Sequence, residues 1–392
     1  MTKPFQKILI VLIALLAALP GQVGAQQALG DLNAFRISDY VYVVSGTDPE
    51  IIQVHVERER VQRQIRLPAI PTGVVVSEEH ALIVATDPAT RGLWYLDPAT
   101  RQLTLNLTLD IEPTLIALHP DETLIAVADW TLGVAEFYSL PNGRLLGRVE
   151  GLESAHELRF GPDPRLYGDK LYVSMTDRPE VAVIDLETFA VSRRLQLPGK
   201  MGIEQLAISP TQPIGFAMPV PSDEAIVHVI DLVKDEAIGL LEFDEPVNRA
   251  FFDVFGKYVF FPELYRGTVH VYEPREKRFT EPMEFDGPID SITSGFLGSI
   301  IYALSGEAKV AWGFDLATFD RIDTIQLPGR DPDTMVTHEQ SGKIFITIED
   351  EMEIVIVDTR VPAGKLPNMR MMWVPDKMPM QVVVPGTLAF CQ

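Results

Sequence analysis

Cysteine is nearly absent from this sequence: the 392 residues include one, Cys391, the penultimate residue. An intramolecular disulfide needs two cysteines, so the fold must be held together by its hydrophobic core. The Cys-x-x-Cys-His motif that attaches c-type haem is missing, and so is Gly-x-Ser-x-Gly. The sequence therefore excludes an internal disulfide scaffold, and it predicts neither a c-type haem nor a serine nucleophile in that motif.

Basic residues are also few: 33 lysines and arginines stand against 55 aspartates and glutamates, which gives a net charge of −22. A chain this acidic repels nucleic acid and anionic lipid headgroups. The composition therefore predicts a protein partner or a small polar ligand, and no nucleic acid. The cofactor is unknown from the sequence, although the acidity makes a bound cation compatible with the composition.

Long apolar runs are missing except for residues 8–19, which two lysines precede. The sequence Val23-Gly24-Ala25 resembles a small-residue cleavage site, as in secretory signal peptides. A membrane anchor is the alternative, but the run is short for a membrane span, which takes about 20 residues. Residues 1–25 are predicted to be a signal peptide and residues 26–392 the folded domain. The mature protein would be periplasmic or secreted, with no stable membrane insertion after signal cleavage.

A repeat is the main feature that the sequence does contain. Residues 170–199 predict three short antiparallel strands, because apolar β-formers alternate there with polar turns. A polar residue that closes the third strand recurs at intervals of 40 to 46 residues. These residues are Glu57, Asp97, Ser139, Asp185, Asp231, Glu273, Asp315 and Asp358. Such periods, with several short strands per unit, are typical of β-propeller blades.

The repeats predict an all-β fold, a single β-propeller of four-stranded antiparallel blades. Eight sets of second, third and fourth strands can be traced but only seven inner strands, so we predict eight blades, with seven as the alternative. The missing inner strand is predicted at Gln381–Val384, because residues 372–390 resemble residues 65–84. This C-terminal strand would pair with Tyr40–Ser45 and close the ring, which hides two open sheet edges.

The repeat at residues 170–199 has the pattern Leu-Tyr-Val, a polar turn, Val-x-Val-Ile-Asp and a strand ending in Leu-Pro, and residues 310–329 match its later part in a variant that also ends in Leu-Pro. This pattern resembles the YVTN-type β-propeller repeat family, which is related to the propellers of quinoprotein amine dehydrogenase heavy chains and of haem-bearing nitrite reductases. The family's Ser-Pro-Asp-Gly turn is present only in altered form, and Tyr-Val-Thr-Asn never occurs whole. The resemblance covers roughly residues 34–392 and implies a propeller scaffold without a particular chemistry.

One polar position recurs at the start of each inner strand, where side chains approach the axis of a ring. The aligned residues are Thr72, Thr114, His156, Glu204, Asn248, Asp290, Asp333 and Gln381. A histidine with several carboxylates at one channel mouth is suited to a cation or a small polar ligand. The alternative is a hydrated channel lining. The predicted ligand-binding residues are His156, Glu204, Asn248, Asp290 and Asp333, and no catalytic residue is predicted.

The loops between second and third strands should open on the same face as this mouth. Their acidic residues are Asp48, Glu50, Asp87, Asp129, Asp177, Glu180, Asp223, Glu224, Glu263, Glu307, Asp350 and Glu351. Trp94, Trp130, Tyr265 and Arg266 lie in or beside these loops, and such side chains often anchor protein partners. The alternative explanation is ordinary loop polarity.

Histidine and methionine offer two further sets of metal ligands. His55, His228 and His270 share the sequence Val-His-Val in three different blades, too far apart around a ring to share a metal. We therefore expect them to be structural. Soft sulfur ligands near the C-terminus suit copper(I), but methionine also fills gaps in protein cores. These methionines are Met369, Met371, Met372, Met378 and Met380.

The sequence thus predicts an exported β-propeller that acts as a binding or scaffold module through its acidic loop face and channel mouth. The alternative is a propeller enzyme or redox subunit, lactonase-like or dehydrogenase-like, with its site at the same mouth. A visible absorption band or stoichiometric metal in the purified protein would favour this alternative. A colourless, metal-free protein would favour the binding module.

The N-terminal segment gives a testable prediction. The exported protein should begin close to Gln26, because small residues precede that position and an apolar run precedes them. Intact-mass spectrometry of the exported protein measures the new N-terminus. A mass that retains residues 8–19 would contradict the prediction and indicate a membrane anchor.

Overall fold

Four antiparallel strands form each blade, and eight such blades follow one another in the computed structural model. The structure describes residues 35–222, 224–247, 249–328, 332–348, 352–360, 368–374 and 379–385. From Ile37 onward these residues belong to one compact unit. Within a blade, consecutive strands pair with each other, except at the split outer edge of the sixth blade. Among the described strands, blade 1 alone takes its inner strand from elsewhere in the chain.

The first four blades lie in the N-terminal half of the chain. Blade 1 contains β1 (Tyr40–Ser45), β2 (Glu50–His55), β3 (Arg60–Arg66) and the C-terminal strand β33 (Pro379–Val383). Blade 2 contains β4 (Gly73–Ser77), β5 (Leu82–Asp87), β6 (Gly92–Asp97) and β7 (Gln102–Thr108). Blade 3 contains β8 (Leu115–Leu118), β9 (Leu124–Asp129), β10 (Val134–Ser139) and β11 (Leu145–Glu150). Blade 4 contains β12 (Ala155–Phe160), β13 (Lys170–Met175), β14 (Glu180–Asp185) and β15 (Ala190–Gln196).

The other four blades complete the ring. Blade 5 contains β16 (Ile203–Ile208), β17 (Ile214–Pro219), β18 (Ile226–Asp231) and β19 (Glu236–Glu242). Blade 6 contains β20 (Phe251–Phe252), β21 (Val259–Pro262), β22 (Thr268–Glu273), β23 (Arg278–Phe279) and β24 (Met283–Glu284). Blade 7 contains β25 (Ser291–Ser294), β26 (Ile300–Ser305), β27 (Val310–Asp315) and β28 (Arg321–Gln326). Blade 8 contains β29 (Pro332–His338), β30 (Lys343–Ile348), β31 (Glu353–Asp358) and β32 (Asn368–Trp373).

Blade 6 departs from the regular plan because its outer edge is split in two. Both β23 and β24 pair with β22, and Pro282 lies in the gap between them. Proline has no N–H to donate to a sheet, so it interrupts the outer strand and is tolerated only at such an edge. The inner strand β20 is also the shortest of the eight described inner strands, with two residues.

Strand β33 brings the two ends of the propeller together. It pairs antiparallel with β1, so that Tyr42 lies opposite Val383 and Val44 lies opposite Gln381. This pairing confirms both the eight-bladed fold and the inner strand predicted at Gln381–Val384. Because β33 occupies the edge of β1, that edge is not left open.

The hydrophobic core is divided into layers between neighbouring blades. In β9, Ile125 and Val127 pack against blade 2, whereas Ala126 and Ala128 pack in the layer shared with blade 4. Side chains alternate between the two faces of a strand, so a strand between two layers must be apolar on both. This explains the uninterrupted apolar runs that mark the second and third strands in the sequence.

The acidic residues that mark the repeat shape the turn after the third strand. The Asp97 carboxylate accepts a hydrogen bond from the Ala99 N–H at 2.8 Å, and Asp315 accepts one from the Ala317 N–H at 2.8 Å. An aspartate that binds the backbone two residues ahead stabilises a tight turn. These repeated aspartates therefore have a structural role.

Helical structure among the described residues amounts to single turns. The turn α1 (Pro164–Tyr167) begins after Asp163, whose carboxylate accepts the Arg165 N–H at 2.9 Å. Short 3₁₀ turns cover Ile37–Asp39 and Phe296–Gly298. No described helix is long and apolar enough to cross a membrane.

The closing strand gives the second prediction. Deleting residues 376–392 removes β33 with its buried Val382 and Val383, which exposes the edge of β1 and uncovers core residues such as Val41 and Val43. Burial of one valine contributes about 1.5–3 kcal/mol, so we expect aggregation or a loss of several kcal/mol in unfolding free energy. Size-exclusion chromatography and thermal melting measure both. Gln381→Asn is the control, because Gln381 is partly exposed, and a truncated protein that is monomeric and melts like the parent would contradict the scheme.

Candidate functional site

The ring of inner strands has two mouths, which differ in their chemistry. The start mouth is where inner strands begin, as at Ala155 of β12 and Ile203 of β16. The end mouth is where they finish, as at Phe252 of β20 and Ser294 of β25. The sequence predicted the ligand site at the start mouth, so that mouth is described first.

Four inner strands carry a β-bulge near their first residues. The pairing of β12 with β13 shifts between Ala155 and Leu158, and β16, β29 and β33 shift in the same way near their starts. A bulge inserts one extra residue and redirects the side chains around it. His156 and Glu204, two predicted ligand-binding residues, lie within these irregular stretches, and so does the backbone of Asp333.

The structure brings His156 and Glu204 together, but the His156 ring contacts the backbone carbonyl of Glu204 and not its carboxylate. The Nδ1 atom of His156 lies 2.8 Å from the carbonyl oxygen of Glu204. One carboxylate oxygen of Glu204 is covered and has no hydrogen-bond partner among the described residues. The Asp290 carboxylate accepts the Gly306 N–H of its own blade at 2.6 Å. Asn248 lies outside the described residues, and so does the side chain of Asp333.

Among the described residues, no three histidine, cysteine, aspartate or glutamate side chains are grouped so that they could hold a metal. The start-mouth ligand site therefore stays a prediction.

Side chains at the start mouth join successive inner strands. Glu157 forms an ion pair with Arg159 and also accepts the Leu206 N–H of the next blade. Further along the ring, Gln205 Oε1 accepts the Ala250 N–H at 3.1 Å. Buried backbone groups need a partner, and inner strands of different blades are not paired with each other. These polar side chains supply the missing hydrogen bonds, so their role at this mouth is structural.

The acidic loop face is less charged at its surface than the sequence alone implied. Asp87, Asp129, Glu180 and Glu263 are buried. Each is used within its own blade: Glu180, for example, accepts hydrogen bonds from Arg194 and Gln196. The exposed acids of these loops include Asp177 and Glu307, whereas Asp223, Asp350 and Glu351 lie outside the described residues.

The aromatic residues predicted as partner anchors separate into two groups. Trp94 is buried in blade 2, so it cannot contact a partner. Trp130 and Tyr265 are largely exposed, and Arg266 forms an ion pair with Glu245 at 2.5 Å. Trp130 and Tyr265 therefore remain available at the surface.

The three Val-His-Val histidines occupy different environments. His228 is almost completely buried in β18, and its Nδ1 atom has no partner among the described residues. His270 Nε2 lies 2.9 Å from Glu263, while His55 is the last residue of β2 and is partly exposed. As predicted, they sit in separate blades.

The C-terminal methionines show the alternation expected of a strand. Met371 in β32 is exposed and Met372, its neighbour, is buried in the layer between blades 8 and 1. Met378, Cys391 and the side chain of Met380 lie outside the described residues, so the copper(I) hypothesis stays untested.

A cavity of about 350 Å³ lies at the end mouth. Its walls come from the inner strands of blades 6, 7 and 8 and from the turns that follow those strands. The lining residues are Phe252, Val254, Phe255, Thr293, Ser294, Gly295, Leu297, Gly298, Val336, Thr337 and Glu339. A mostly apolar cavity of this size with a few polar groups is typical of small-molecule sites.

The polar part of this cavity is a pair of threonines on adjacent inner strands. The Oγ1 atoms of Thr293 and Thr337 lie 2.9 Å apart, and the Thr337 hydroxyl also donates to the Ser294 carbonyl at 2.6 Å. The Ser294 hydroxyl oxygen is covered and has no partner among the described residues. These hydroxyl groups form the polar floor of the cavity, which hydrogen bonds hold in place. The apolar residues form the walls above it.

The rim of the cavity is apolar although it faces water. Leu297 is 74% exposed, Phe255 58% and Val254 38%. Leu297 also has a φ angle of 58°, in the left-handed region that costs energy for residues other than glycine. Turns after inner strands of other blades also hold a residue at positive φ, such as Ala81 and Glu122, so this conformation belongs to the repeat. The group of exposed apolar side chains is what indicates an interaction surface at this rim.

Hydrogen bonds from two side chains, Asp253 and Thr211, hold the Phe255 turn in place. The Asp253 carboxylate accepts the Tyr258 N–H at 2.5 Å and the Phe255 N–H at 3.0 Å. The Thr211 hydroxyl of blade 5 donates to the Phe255 carbonyl at 2.8 Å. Burial raises the pKa of Asp253, while the backbone N–H groups oppose that rise. The turn is therefore anchored on both sides and presents Phe255 outward.

Sequence reasoning missed this cavity, although a signal was present. The corresponding turns of blades 3 and 5 are polar, with His119-Pro120-Asp121-Glu122 and Ser209-Pro210-Thr211-Gln212. Those of blades 6 and 7 carry Val254-Phe255 and Phe296-Leu297 instead. Two apolar turns at adjacent positions in the ring point to a binding surface.

His228 gives the third prediction. Burial lowers its pKa to about 4, against 6.5 for the free side chain. Between pH 6.5 and 4, His228 is protonated in the unfolded chain but not in the folded protein. The free energy of unfolding is therefore at its full value above pH 6.5 and falls as the pH drops towards 4. His228→Leu should remove up to about 3 kcal/mol of this acid-induced loss, as measured by urea unfolding from pH 7.5 to 4.5. His55→Leu, at a partly exposed site, is the control, and equal acid sensitivity of parent and His228→Leu would contradict the prediction.

Comparisons with known proteins identify the fold. No family model matches the chain, and no curated protein matches its sequence. Among solved structures, a dihydro-haem d1 dehydrogenase, NirN, in complex with DHE aligns over 86% of this chain and 75% of its own, with 13% identity and a TM-score of 0.68. Hydrazine synthase from Kuenenia stuttgartiensis aligns over 74% of this chain and 96% of its own, with 12% identity and a TM-score of 0.55. At these identities the likeness shows the fold alone: the chain is an eight-bladed β-propeller.

Proposed function

We propose that this chain is an exported binding module that holds a small, largely apolar molecule in the end-mouth cavity. The cavity of about 350 Å³ with its exposed apolar rim is the observation that carries the proposal. The proposal that the protein is exported rests on the N-terminal sequence, residues 1–25.

The cavity suits a ligand for three physical reasons. Its volume is within the range of about 300–1,000 Å³ that small-molecule sites occupy. Covering Phe255 and Leu297 with an apolar molecule removes their side chains from water, which is favourable by about 25 cal/mol for each Å² of apolar surface. The turn that carries Phe255 is already fixed by Asp253 and Thr211, and in the turn that carries Leu297 the Phe296 N–H donates to the Thr359 hydroxyl at 2.8 Å. Little ordering is therefore needed on binding.

The start mouth remains the alternative ligand site, with His156, Glu204, Asn248, Asp290 and Asp333. Of its described side chains, His156 and Asp290 are used in contacts with backbone groups, whereas one Glu204 carboxylate oxygen has no partner among the described residues. The cavity and its exposed apolar rim favour the end mouth as the place for a ligand. A protein partner at the exposed residues Trp130 and Tyr265 is compatible with either site.

The other function class is an enzyme or redox subunit, since both solved neighbours carry names of enzymes or redox proteins. The two classes differ in a cheap observable. A visible absorption band or stoichiometric metal in the purified protein supports the redox subunit, and a colourless, metal-free protein supports the binding module.

A substitution at the rim tests the cavity. Val254→Trp places an indole at the opening and should weaken binding of the neutral fluorescent probe N-phenyl-1-naphthylamine at least tenfold, about 1.4 kcal/mol. Fluorescence titration measures the dissociation constant. The proposal predicts one saturable site per parent chain, because the cavity is larger than the probe.

Two controls make this test specific. Val233→Trp changes another exposed valine in a turn on the same face, far out on blade 5, and Glu204→Gln alters the start mouth. Both variants should bind the probe like the parent. Equal binding by parent and Val254→Trp, or an equal loss in Val233→Trp, would contradict the proposal, and a loss in Glu204→Gln alone would move the site to the start mouth.

A further inference from the structure

The charge in the lining of the end-mouth cavity is negative. Glu339, in the turn after β29, is the charged residue among the described residues that line the cavity. It is exposed, and no described lysine or arginine forms an ion pair with it. An anionic ligand would therefore meet a carboxylate at the opening, whereas a cationic ligand would gain a partner.

Among lysines and arginines, Lys257 is the one closest in sequence to the cavity lining, two positions after Phe255. Its ammonium group donates to the Tyr258 hydroxyl at 2.6 Å and lies 4.3 Å from the centre of the Tyr258 ring. The side chain is thus directed to its neighbour and is not part of the cavity lining. It does not neutralise Glu339.

The turns next to Glu339 around the end mouth extend the negative charge. The turn after β4 carries Glu78 and Glu79, and the Glu78 carboxylate accepts a hydrogen bond from Gln340, the neighbour of Glu339, at 3.2 Å. The turn after β8 adds Asp121 and Glu122. The end mouth also carries Arg165 and Lys257 in the turns after β12 and β20, so the negative charge is local to the turns after β29, β4 and β8. A local excess of one charge raises the concentration of ligands of the opposite sign.

The apolar part of the cavity also favours a cation. Phe252 and Phe255 present aromatic rings in the lining. The face of an aromatic ring attracts a cation placed within about 6 Å of its centre. Apolar walls, aromatic rings and a carboxylate at the rim together form a site for a molecule with an apolar body and a positive end.

We propose that the ligand of this cavity is an amphipathic organic cation, such as an aryl-alkyl amine, with its apolar body against Phe255 and Leu297 and its ammonium group beside Glu339. This inference rests on the proposed function and narrows it to one class of ligand. The hydroxyl pair of Thr293 and Thr337 lies deeper in the cavity, and the charged end of the ligand would not reach it.

Three probes of matched shape test the charge preference. They are 4-phenylbutylamine, 4-phenylbutanol and 4-phenylbutyrate, which are cationic, neutral and anionic at pH 7. The parent should bind the amine about fivefold more tightly than the alcohol, as expected for one partly exposed ion pair, and the carboxylate more weakly than either. Titration calorimetry measures the three constants at low salt, and the amine preference should shrink at 0.5 M NaCl because salt screens the pair.

Variants assign this preference to one residue. Glu339→Gln should bind the amine and the alcohol equally, with the alcohol constant unchanged. Glu276→Gln removes the same charge from an exposed turn at the outer edge of blade 6 and should retain the parent's preference. Equal binding of amine and alcohol by the parent, or a preference that survives Glu339→Gln, would overturn the ligand class while leaving the cavity as a binding site. Absence of binding by all three probes would overturn the cavity function as well.

Discussion

The pairing of β33 with β1 is the constraint on which the rest of the structure depends. Blades pack face to face, so each apolar layer needs a neighbour on both sides, and an open ring would leave two faces in water. Buried Lys343 of blade 8 reinforces the closure, donating to the Val56 carbonyl at 3.0 Å and to Glu59 at 2.8 Å in blade 1. Such a buried charge is stable only when it is paired, which ties the last blade to the first in one geometry.

The closed ring creates a second requirement at its axis. Inner strands of neighbouring blades do not pair, so their edges need other hydrogen-bond partners. At the start mouth, Glu157 and Gln205 provide them for the next strand in the ring. His156, which the sequence predicts as a ligand-binding residue, likewise contacts the Glu204 carbonyl of the next blade. The end mouth has its threonines paired with each other, which leaves its walls apolar and open.

The propeller itself is a scaffold, and its function must reside in a few turns. Most of the ring repeats one plan, whereas blades 6 and 7 replace polar turns with Val254-Phe255 and Phe296-Leu297. Hydrogen bonds to Asp253 and Thr359 fix these two turns while their apolar side chains Phe255 and Leu297 stay exposed. Gly298 makes the close approach of the two turns feasible, because a side chain there would collide with Val254 and Phe255.

The sequence by itself determined the eight blades, the four-stranded plan and the closing strand, because these follow from local patterns: a period of about 40 residues, apolar runs and turn-forming aspartates such as Asp97 and Asp315. It also placed His156 and Glu204 correctly at the start of their strands. Which groups are free to bind was decided only by tertiary structure. Glu180 and Glu263 became buried, and Thr293, Val336 and Phe252 came together from three blades. Burial and convergence depend on contacts between residues far apart in the chain, and a repeat pattern does not encode them.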